Sequence, residues 1–155
     1  MSGTLGSISI RAVNYLDVQA LRREVLRAGM IDQTVNFDGD DDPTTMHLGA
    51  FTDAGVNIGV STWLQRPFPS EPQLRGLQLR GMATAVLVQG HGIGGLLLHA
   101  GMEYAAAIGV DLIWANARDS ALAFYNRHGY STVGDGFIET VTQLPHHQVV
   151  AYLEQ

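Results

Sequence analysis

The chain has 155 residues, 46% of them apolar, which suffices for one domain with a substantial core. Its nine basic residues are all arginine, and 15 acidic residues outnumber them to give a net charge of −6. Without lysine the chain cannot form a P-loop or a Schiff base. Without cysteine it cannot form disulfides, thiolate metal sites or a cysteine nucleophile, and its acidic balance disfavours binding to nucleic acid.

Targeting and membrane segments are not predicted. The chain does not open on a basic stretch followed by a long apolar one, and its longest apolar runs are 82–88 and 93–98. Both runs fall well short of the ~18 residues that suggest a membrane span. We therefore expect a cytoplasmic protein that does not bind a membrane.

The first half of the chain predicts a strand, a helix and a hairpin. Residues 8–13 alternate in polarity as a strand does, and Asp17 is placed to cap the helix that follows. The stretch 30–45 is polar and acidic, and we interpret it as a loop with a solvated surface. Residues 47–52 and 56–64 flank an Asp-Ala-Gly turn and predict a hairpin.

The second half predicts a parallel crossover and a final hairpin. A strand and the extended segment after it, together 77–88, lead through a glycine-rich turn into a helix that ends at Gly109, and an apolar strand covers 111–117. The order of elements, β α β β β α β α β β, is typical of an α+β fold, here as a single domain over 1–155. The remaining elements are a short helix and two strands, over 120–128, 130–133 and 148–152.

The turn Gln89-Gly-His-Gly-Ile-Gly-Gly95 carries the clearest chemical signal. Glycines let the backbone approach a ligand, and the helix that follows presents unpaired N–H groups, so such a turn suits phosphate or pyrophosphate. It matches the dinucleotide fingerprint Gly90-x-Gly92-x-x-Gly95, and it also resembles the acyl-coenzyme A loop of the GNAT family of N-acetyltransferases. A tight turn that binds no ligand is the third interpretation. A dinucleotide fold normally opens with its fingerprint, and too little sheet follows residue 90 for that fold.

The segment from Trp114 to Tyr130 favours the acetyltransferase interpretation. It contains a strand ending in Asn116, a helix with Phe124-Tyr125, and a Gly-Tyr pair that follows the helix. This arrangement closely resembles the later GNAT motif. The resemblance covers nearly the whole chain and implies a mixed central sheet with splayed middle strands and flanking helices. It extends to the strand before the loop, 78–83. For one small bacterial-type subgroup it also extends to four short segments: 21–27, 41–43, 47–49 and 145–147.

The same resemblance implies acetyl-CoA as the acyl donor, and we expect no metal. The gap between the splayed strands would bind the pantetheine arm, with Asn116 reaching it from the second strand. His91 replaces a lysine or arginine that is frequent in this loop, so the contact to the outer phosphate stays open. The acetyl and pantetheine contacts would be Met82, Ala83 and Thr84, and the pyrophosphate contacts Gln89, Gly90, His91, Gly92, Ile93, Gly94 and Gly95.

The reaction that the resemblance implies is direct transfer from the thioester to an amine. Tyr125 matches the family's usual general acid, because a phenol can protonate the departing thiolate. His146 and His147 rank first as general base, since the resembled subgroup has a Pro-His-His/Tyr element near its acceptor site. Neighbouring strand residues face opposite ways, so at most one of the two would enter the cleft. The other candidate bases are Glu24, Asp42, His47 and Glu139.

The acceptor is left open beyond a small-molecule amine. Arg80 in an apolar strand would clamp an acidic group, whereas Asp42 and the acidic stretch 38–42 would attract a cationic amine, with His47 as a third contact. A noncatalytic acyl-CoA-binding or interaction protein of the same fold is the alternative, and a dinucleotide-binding protein is a more remote one. Dimers are common in the resembled family, and the sequence does not fix the oligomeric state.

Overall fold

The computed structural model describes residues 6–154 and contains a seven-stranded sheet in the order β1-β2-β3-β4-β5-β7-β6. The pair β4–β5 is parallel, and the pairs β1–β2, β5–β7 and β6–β7 are antiparallel. This mixed sheet with helices confirms the α+β class and the predicted order of elements. The strands are β1 (Ser9–Val13), β2 (Met46–Phe51), β3 (Asn57–Leu64), β4 (Gly76–Thr84), β5 (Leu112–Arg118), β6 (Ser131–Ile138) and β7 (Pro145–Tyr152), and the helices are α1 (Gln19–Leu21), α2 (Ile93–Ile108) and α3 (Leu122–Arg127).

The chain forms two compact units. The first contains the described residues up to Thr62 together with Gly81–Ala100, and the second contains Trp63–Arg80 and the described residues from Gly101 onward. The chain therefore passes from the second unit to the first within β4, where Gly81 has a left-handed φ of 62°.

The first helical segment of the first unit combines a 3-10 turn, the α1 turn and a π turn, over Tyr15–Val18, Gln19–Leu21 and Arg22–Leu26. Asn14 caps it: its side-chain oxygen accepts hydrogen bonds from the N–H groups of Leu16 and Asp17, at 2.9 and 3.2 Å. The Asp17 carboxylate in turn accepts from the Asn14 N–H at 3.1 Å. The prediction that Asp17 is the cap is wrong, because Asp17 is the reciprocal partner inside the first turn.

Neighbouring residues of β3 place helices on opposite faces of the sheet in the first unit. Val60 packs in a buried cluster with Val18 and Leu21 from the first helical segment, and with Ala83 of β4. On the other face, a Cβ added at Gly59 would lie 2.8 Å from Ile93 Cγ2, so the first turn of α2 lies directly against this glycine. This close approach fixes the start of α2, and with it the glycine turn that precedes it.

A buried arginine joins the first helical segment to the acidic loop. The Arg22 guanidinium, 0% exposed, donates to both carboxylate oxygens of Asp40 at 2.6 and 3.0 Å, to Val35 O at 2.7 Å and to Thr62 Oγ1 at 2.7 Å. Burial alone would raise the pKa of Asp40, but hydrogen bonds from Arg22 and from the Phe37 N–H hold it below its usual value. The prediction that the acidic stretch is wholly a solvated surface is therefore wrong at Asp40.

The second unit has its own core and a longer final hairpin than predicted. Phe68, Leu112, Trp114 and Val150 form a buried cluster in that core. The two final strands were expected over 130–133 and 148–152 but run over Ser131–Ile138 and Pro145–Tyr152. The Gly-Asp-Gly sequence at 134–136, which resembles a turn, is instead a bulge inside β6, where the register passes from Val133↔Gln148 to Phe137↔His146.

Replacing Arg22 tests the buried pair. Arg22→Ala should lower the free energy of unfolding by about 3–5 kcal/mol at pH 7, because it leaves the Asp40 carboxylate buried without its partner. The difference from wild type should shrink as the pH falls below about 4, since the native pKa of Asp40 is depressed and its contribution is lost on protonation.

Urea denaturation measures both effects, and Arg23→Ala is the matched control because Arg23 is the exposed neighbour. That control should change the free energy of unfolding by no more than about 0.5 kcal/mol. Equal, small losses for the two variants would contradict a structural role for Arg22.

Candidate functional site

The glycine turn between β4 and α2 keeps its backbone open to solvent. Gly90 and Gly92 have left-handed φ angles of 86° and 80°, which residues with a Cβ rarely adopt. A Cβ added at either glycine would meet nothing within 4 Å, so the space outside the turn is empty. These glycines are therefore required by the shape of the backbone, and that shape leaves room for a ligand.

The start of α2 supplies hydrogen-bond donors beside this turn. The Leu96 N–H donates to Gly92 O at 3.2 Å, which marks the beginning of the helical hydrogen-bond pattern. The first N–H groups of a helix have no partner within it, and the helix dipole gives them a partial positive charge. Ile93 is buried, whereas Gly94 and Gly95 are half-buried and carry no side chains that would cover their N–H groups. The arrangement suits an anion such as a pyrophosphate.

Two polar side chains of the turn contact the backbone around it. Gln89 Nε2 donates to Thr84 O at 3.1 Å, and His91 Nδ1 lies 3.1 Å from Val88 O. Both side chains are exposed. The first contact ties the predicted pyrophosphate loop to the end of β4, which carries the predicted acetyl contacts.

The end of β4 extends beyond its pairing with β5. In the described chain, their parallel register runs from Gly76↔Leu112 to Leu79↔Ala115, whereas β4 continues to Thr84. Met82 and Thr84 are half-buried on this extension, and Ala83 is buried in the first unit's apolar cluster. The predicted acetyl contacts therefore lie on the part of β4 that follows its register with β5.

Tyr125 is a buried phenol on α3, 8% exposed. Its ring centroid lies 5.3 Å from that of Phe124 and 5.5 Å from that of Tyr130, with edge-to-face geometry in both pairs. Burial raises the pKa of Tyr125 to about 12, so the phenol is protonated at any physiological pH. Burial, followed by the charge of Tyr125, also raises the pKa of Tyr130, whose hydroxyl has no hydrogen-bond partner among the described residues.

The two adjacent histidines of β7 have different surroundings. His146 is 6% exposed, its Nδ1 lies 2.9 Å from Leu144 O, and its ring centroid is 5.7 Å from that of Phe137. The side chain of His147 is 26% exposed, and its Nδ1 lies 2.6 Å from Asp119 Oδ1. Of the two, His147 is therefore the accessible one, and it has a carboxylate partner.

Asp119 is a residue of this arrangement that the sequence reasoning missed. It begins the 3-10 turn that follows β5, 28 residues before His147. The sequence signal that could have identified Asp119 is its position directly after the strand of the GNAT-like motif. Asn116, on the same strand, is exposed and accepts a hydrogen bond from Gln148 at 3.3 Å.

The three predicted acceptor contacts have unlike environments. His47 is 4% exposed, with Nδ1 2.7 Å from Thr62 Oγ1 and Nε2 2.8 Å from Asp40 O, so both ring nitrogens are engaged inside the first unit. Asp42 is exposed in that unit, and its carboxylate accepts from the N–H and hydroxyl of Thr44. Arg80 is half-buried in the second unit. The arrangement of His47 suits a structural role.

The described residues, 6–154, form neither a cluster of three or more metal ligands nor a membrane-spanning helix. No three histidine or acidic side chains in this range are placed to hold a metal ion. No helix in the same range is both long and apolar enough to cross a membrane.

Comparisons with known proteins agree with these features. The model of the acetyltransferase (GNAT) family matches residues 13–130. The Bacillus subtilis protein YitI, an uncharacterized N-acetyltransferase, is 25% identical over 130 residues, which cover 84% of this chain and 87% of that protein. Two solved structures show the same fold at low identity. A Lactobacillus plantarum protein (TM-score 0.79, 21% identity) covers 96% of this chain and 100% of its own, and IAA acetyltransferase from Bacillus cereus (TM-score 0.71, 19% identity) covers 95% and 100%.

The raised pKa of Tyr125 has a measurable effect on stability. The native pKa of about 12 exceeds the ordinary value of 10. The un-ionised Tyr125 phenol therefore makes its full contribution to the free energy of unfolding below about pH 10, and this contribution is lost as the pH rises towards 12. Tyr125→Phe should therefore lose less stability than wild type between pH 10 and 12, as measured by urea denaturation. Tyr15→Phe, at a side chain 39% exposed, is the control. Identical pH dependence of Tyr125→Phe and wild type would contradict the burial of an un-ionised phenol.

Proposed function

Because the chain belongs to the GNAT family of acetyltransferases, we propose that it transfers the acetyl group of acetyl-CoA to the amine of a small molecule. The family uses acyl-CoA donors, and N-acetyltransfer is its general reaction. The observation that carries the proposal is the open glycine turn at the start of α2, close in the chain to the end of β4 that follows the register with β5.

The donor would bind to the first unit. The N–H groups of Gly94 and Gly95 and the turn before them would hold the pyrophosphate, and the left-handed glycines Gly90 and Gly92 would keep side chains away from it. The backbone of Met82–Thr84 would pair with the pantetheine arm as an added strand does. An acidic chain without lysine can bind this dianion because the donors are backbone groups.

Tyr125 would act as general acid. The amine nitrogen attacks the thioester carbonyl, a C–N bond forms, and the C–S bond breaks with the electron pair on sulfur. The Tyr125 phenol gives its proton to that sulfur, or hydrogen-bonds to it while charge develops. Its pKa of about 12 keeps the phenol protonated and available as a donor. No enzyme-bound acyl group is needed, in agreement with a chain that lacks cysteine.

His147 is our choice of general base. An alkylammonium is protonated at pH 7, so the acceptor must lose a proton before or during the attack. His147 is accessible, whereas His146 and His47 are buried. The carboxylate of Glu139 already accepts hydrogen bonds from the N–H groups of Val141 and Thr142, which suits a loop-stabilising role.

The acceptor would be selected by charge. Asp40 is neutralised inside the fold by Arg22, so the exposed acidic side chains of the stretch 38–42 are Asp38, Asp41 and Asp42. These carboxylates favour a cationic amine. A clamp on an acidic group by Arg80 is the competing proposal, and it predicts an acceptor with a carboxylate or phosphate.

A thermal melt with matched glycine variants tests donor binding. Acetyl-CoA and desulfo-CoA, at about 100 times their Kd, should each raise the Tm of wild type by several degrees, and NAD should not. Gly92→Ala should reduce the shift. Gly55→Ala is the matched control, since Gly55 has φ 82° and equally open space but lies in the β2–β3 turn.

A shift with NAD alone would overturn the assignment of the turn to acyl-CoA. Equal shifts for the two glycine variants would show that acetyl-CoA binds elsewhere. The absence of any shift would favour a noncatalytic interaction protein that does not bind acyl-CoA.

The kcat of the Tyr125→Phe variant tests the proposal that Tyr125 is the general acid. With an acceptor found by screening amines for thiol release, we expect kcat to fall by about 10²-fold to 10⁴-fold, while the Kd of acetyl-CoA changes little. The edge-to-face ring contacts of Tyr125 survive this change, so the fold should be retained. Tyr104→Phe, on α2, controls for loss of a phenol elsewhere. Unchanged kcat in Tyr125→Phe would rule out the proposed proton donor without ruling out acetyl transfer.

A further inference from the structure

We propose that Asp119 is a positioning residue that holds His147 in the tautomer of a general base, above a gap that Gly136 leaves in β6. The proposal deepens the function proposed above and rests on it. It assigns a role to two residues, Asp119 and Gly136, to which the sequence analysis assigned none.

The contact between Asp119 and His147 is short and directional. The distance from His147 Nδ1 to Asp119 Oδ1 is 2.6 Å, slightly shorter than the roughly 2.7–2.9 Å of charge-assisted N–H···O hydrogen bonds. Asp119 is fixed at the start of a 3-10 turn, directly after β5, and His147 lies on β7, which pairs with β5. Two adjacent strands of the second unit therefore hold the pair together.

This contact determines which ring nitrogen can accept a proton. An ionised carboxylate has only acceptor sites, so the nitrogen that faces it must carry the hydrogen. In a neutral imidazole the proton is then on Nδ1, and Nε2 keeps its lone pair. His147 is thus arranged to take, at Nε2, the proton that the attacking amine loses, and the Asp119 carboxylate would stabilise the resulting imidazolium.

Gly136 leaves the space that the ring occupies. A Cβ added at Gly136 would lie 2.7 Å from His147 Cε1 and 2.9 Å from Nε2, closer than real side chains pack. The residue sits in the β6 bulge, and the register on either side of the bulge places residues 134–136 opposite His147. Gly136 is exposed, so the Nε2 edge of the ring lies beside a surface residue without a side chain.

If the pair had only a structural role, removing it should lower the Tm and leave proton transfer unchanged. Both side chains are partly exposed, at 26% for His147 and 38% for Asp119, and ion pairs at such positions contribute little to stability. The adjacent His146 is held by a main-chain carbonyl and an aromatic ring instead. Removing the Asp119 carboxylate should therefore leave the Tm nearly unchanged but impair proton transfer.

The experiment compares Asp119→Asn with Asp135→Asn in the full chain. Asp135 lies in the β6 bulge, so its substitution removes the same charge nearby without touching the Nδ1 contact. We expect Asp119→Asn to lower kcat by about 10-fold to 100-fold with the KM for acetyl-CoA unchanged, because base catalysis is lost and donor binding is not. Asp119→Glu should recover part of the loss, and Asp135→Asn should keep the wild-type kcat.

A spectroscopic measurement tests the tautomer without an acceptor. In histidine-labelled wild-type protein at about pH 9, where an ordinary imidazole is neutral, ¹⁵N NMR should show His147 protonated at Nδ1. The signal is assigned with His147→Gln. Asp119→Asn should remove the preference for this tautomer, and Gly136→Ala should shift the ring signals and lower kcat.

The outcomes separate this proposal from the one on which it rests. Active wild type together with unchanged kcat in Asp119→Asn would overturn the positioning role alone, as would a wild-type His147 protonated at Nε2. Wild type that binds no acetyl-CoA and releases no thiol with any amine would overturn both proposals.

Discussion

The buried guanidinium of Arg22 is the constraint on which the rest of the first unit depends. It joins the first helical segment to the acidic loop through Asp40 and to β3 through Thr62. It also fixes the course of β4, because a Cβ added at Gly81 would lie 2.8 Å from Arg22 Nε and 2.8 Å from the Phe37 ring. Only glycine fits there, in a left-handed conformation, and the strand end that follows carries Met82–Thr84.

Burying this arginine costs free energy, and that cost explains why most polar atoms of the network have hydrogen-bond partners. Burying a charge is favourable only when its partner and hydrogen bonds replace the lost water. The Asp40 carboxylate replaces that water for Arg22. His47 contacts two further oxygens of the network, Thr62 Oγ1 and Asp40 O. Arg22 Nε, against Gly81, has no partner among the described residues. A network of this kind favours one arrangement of the loop over many, which a binding surface requires.

The sequence predicted those parts of the fold that depend on local pattern. The β2–β3 hairpin, the helix that ends at Gly109 and the apolar strand β5 agree with the structure, because alternation and glycine punctuation are local signals. Pairings between distant residues were not predictable in this way. Asp40 was assigned to a solvated surface and Asp119 was not singled out, because their partners, Arg22 and His147, lie 18 and 28 residues away along the chain. The β6 bulge was missed because glycine and aspartate, as in the sequence Gly-Asp-Gly, are also typical of turns.

Observing the backbone of the glycine turn in solution tests the central claim most directly. Amide ¹H–¹⁵N NMR of the labelled protein, titrated with acetyl-CoA, reports on the N–H groups from Gly90 to Gly95 without any need for an acceptor. If this turn holds the pyrophosphate, these amides should show the largest shifts, and desulfo-CoA should reproduce them. Saturable binding that leaves these glycines unperturbed while other amides shift would contradict the account.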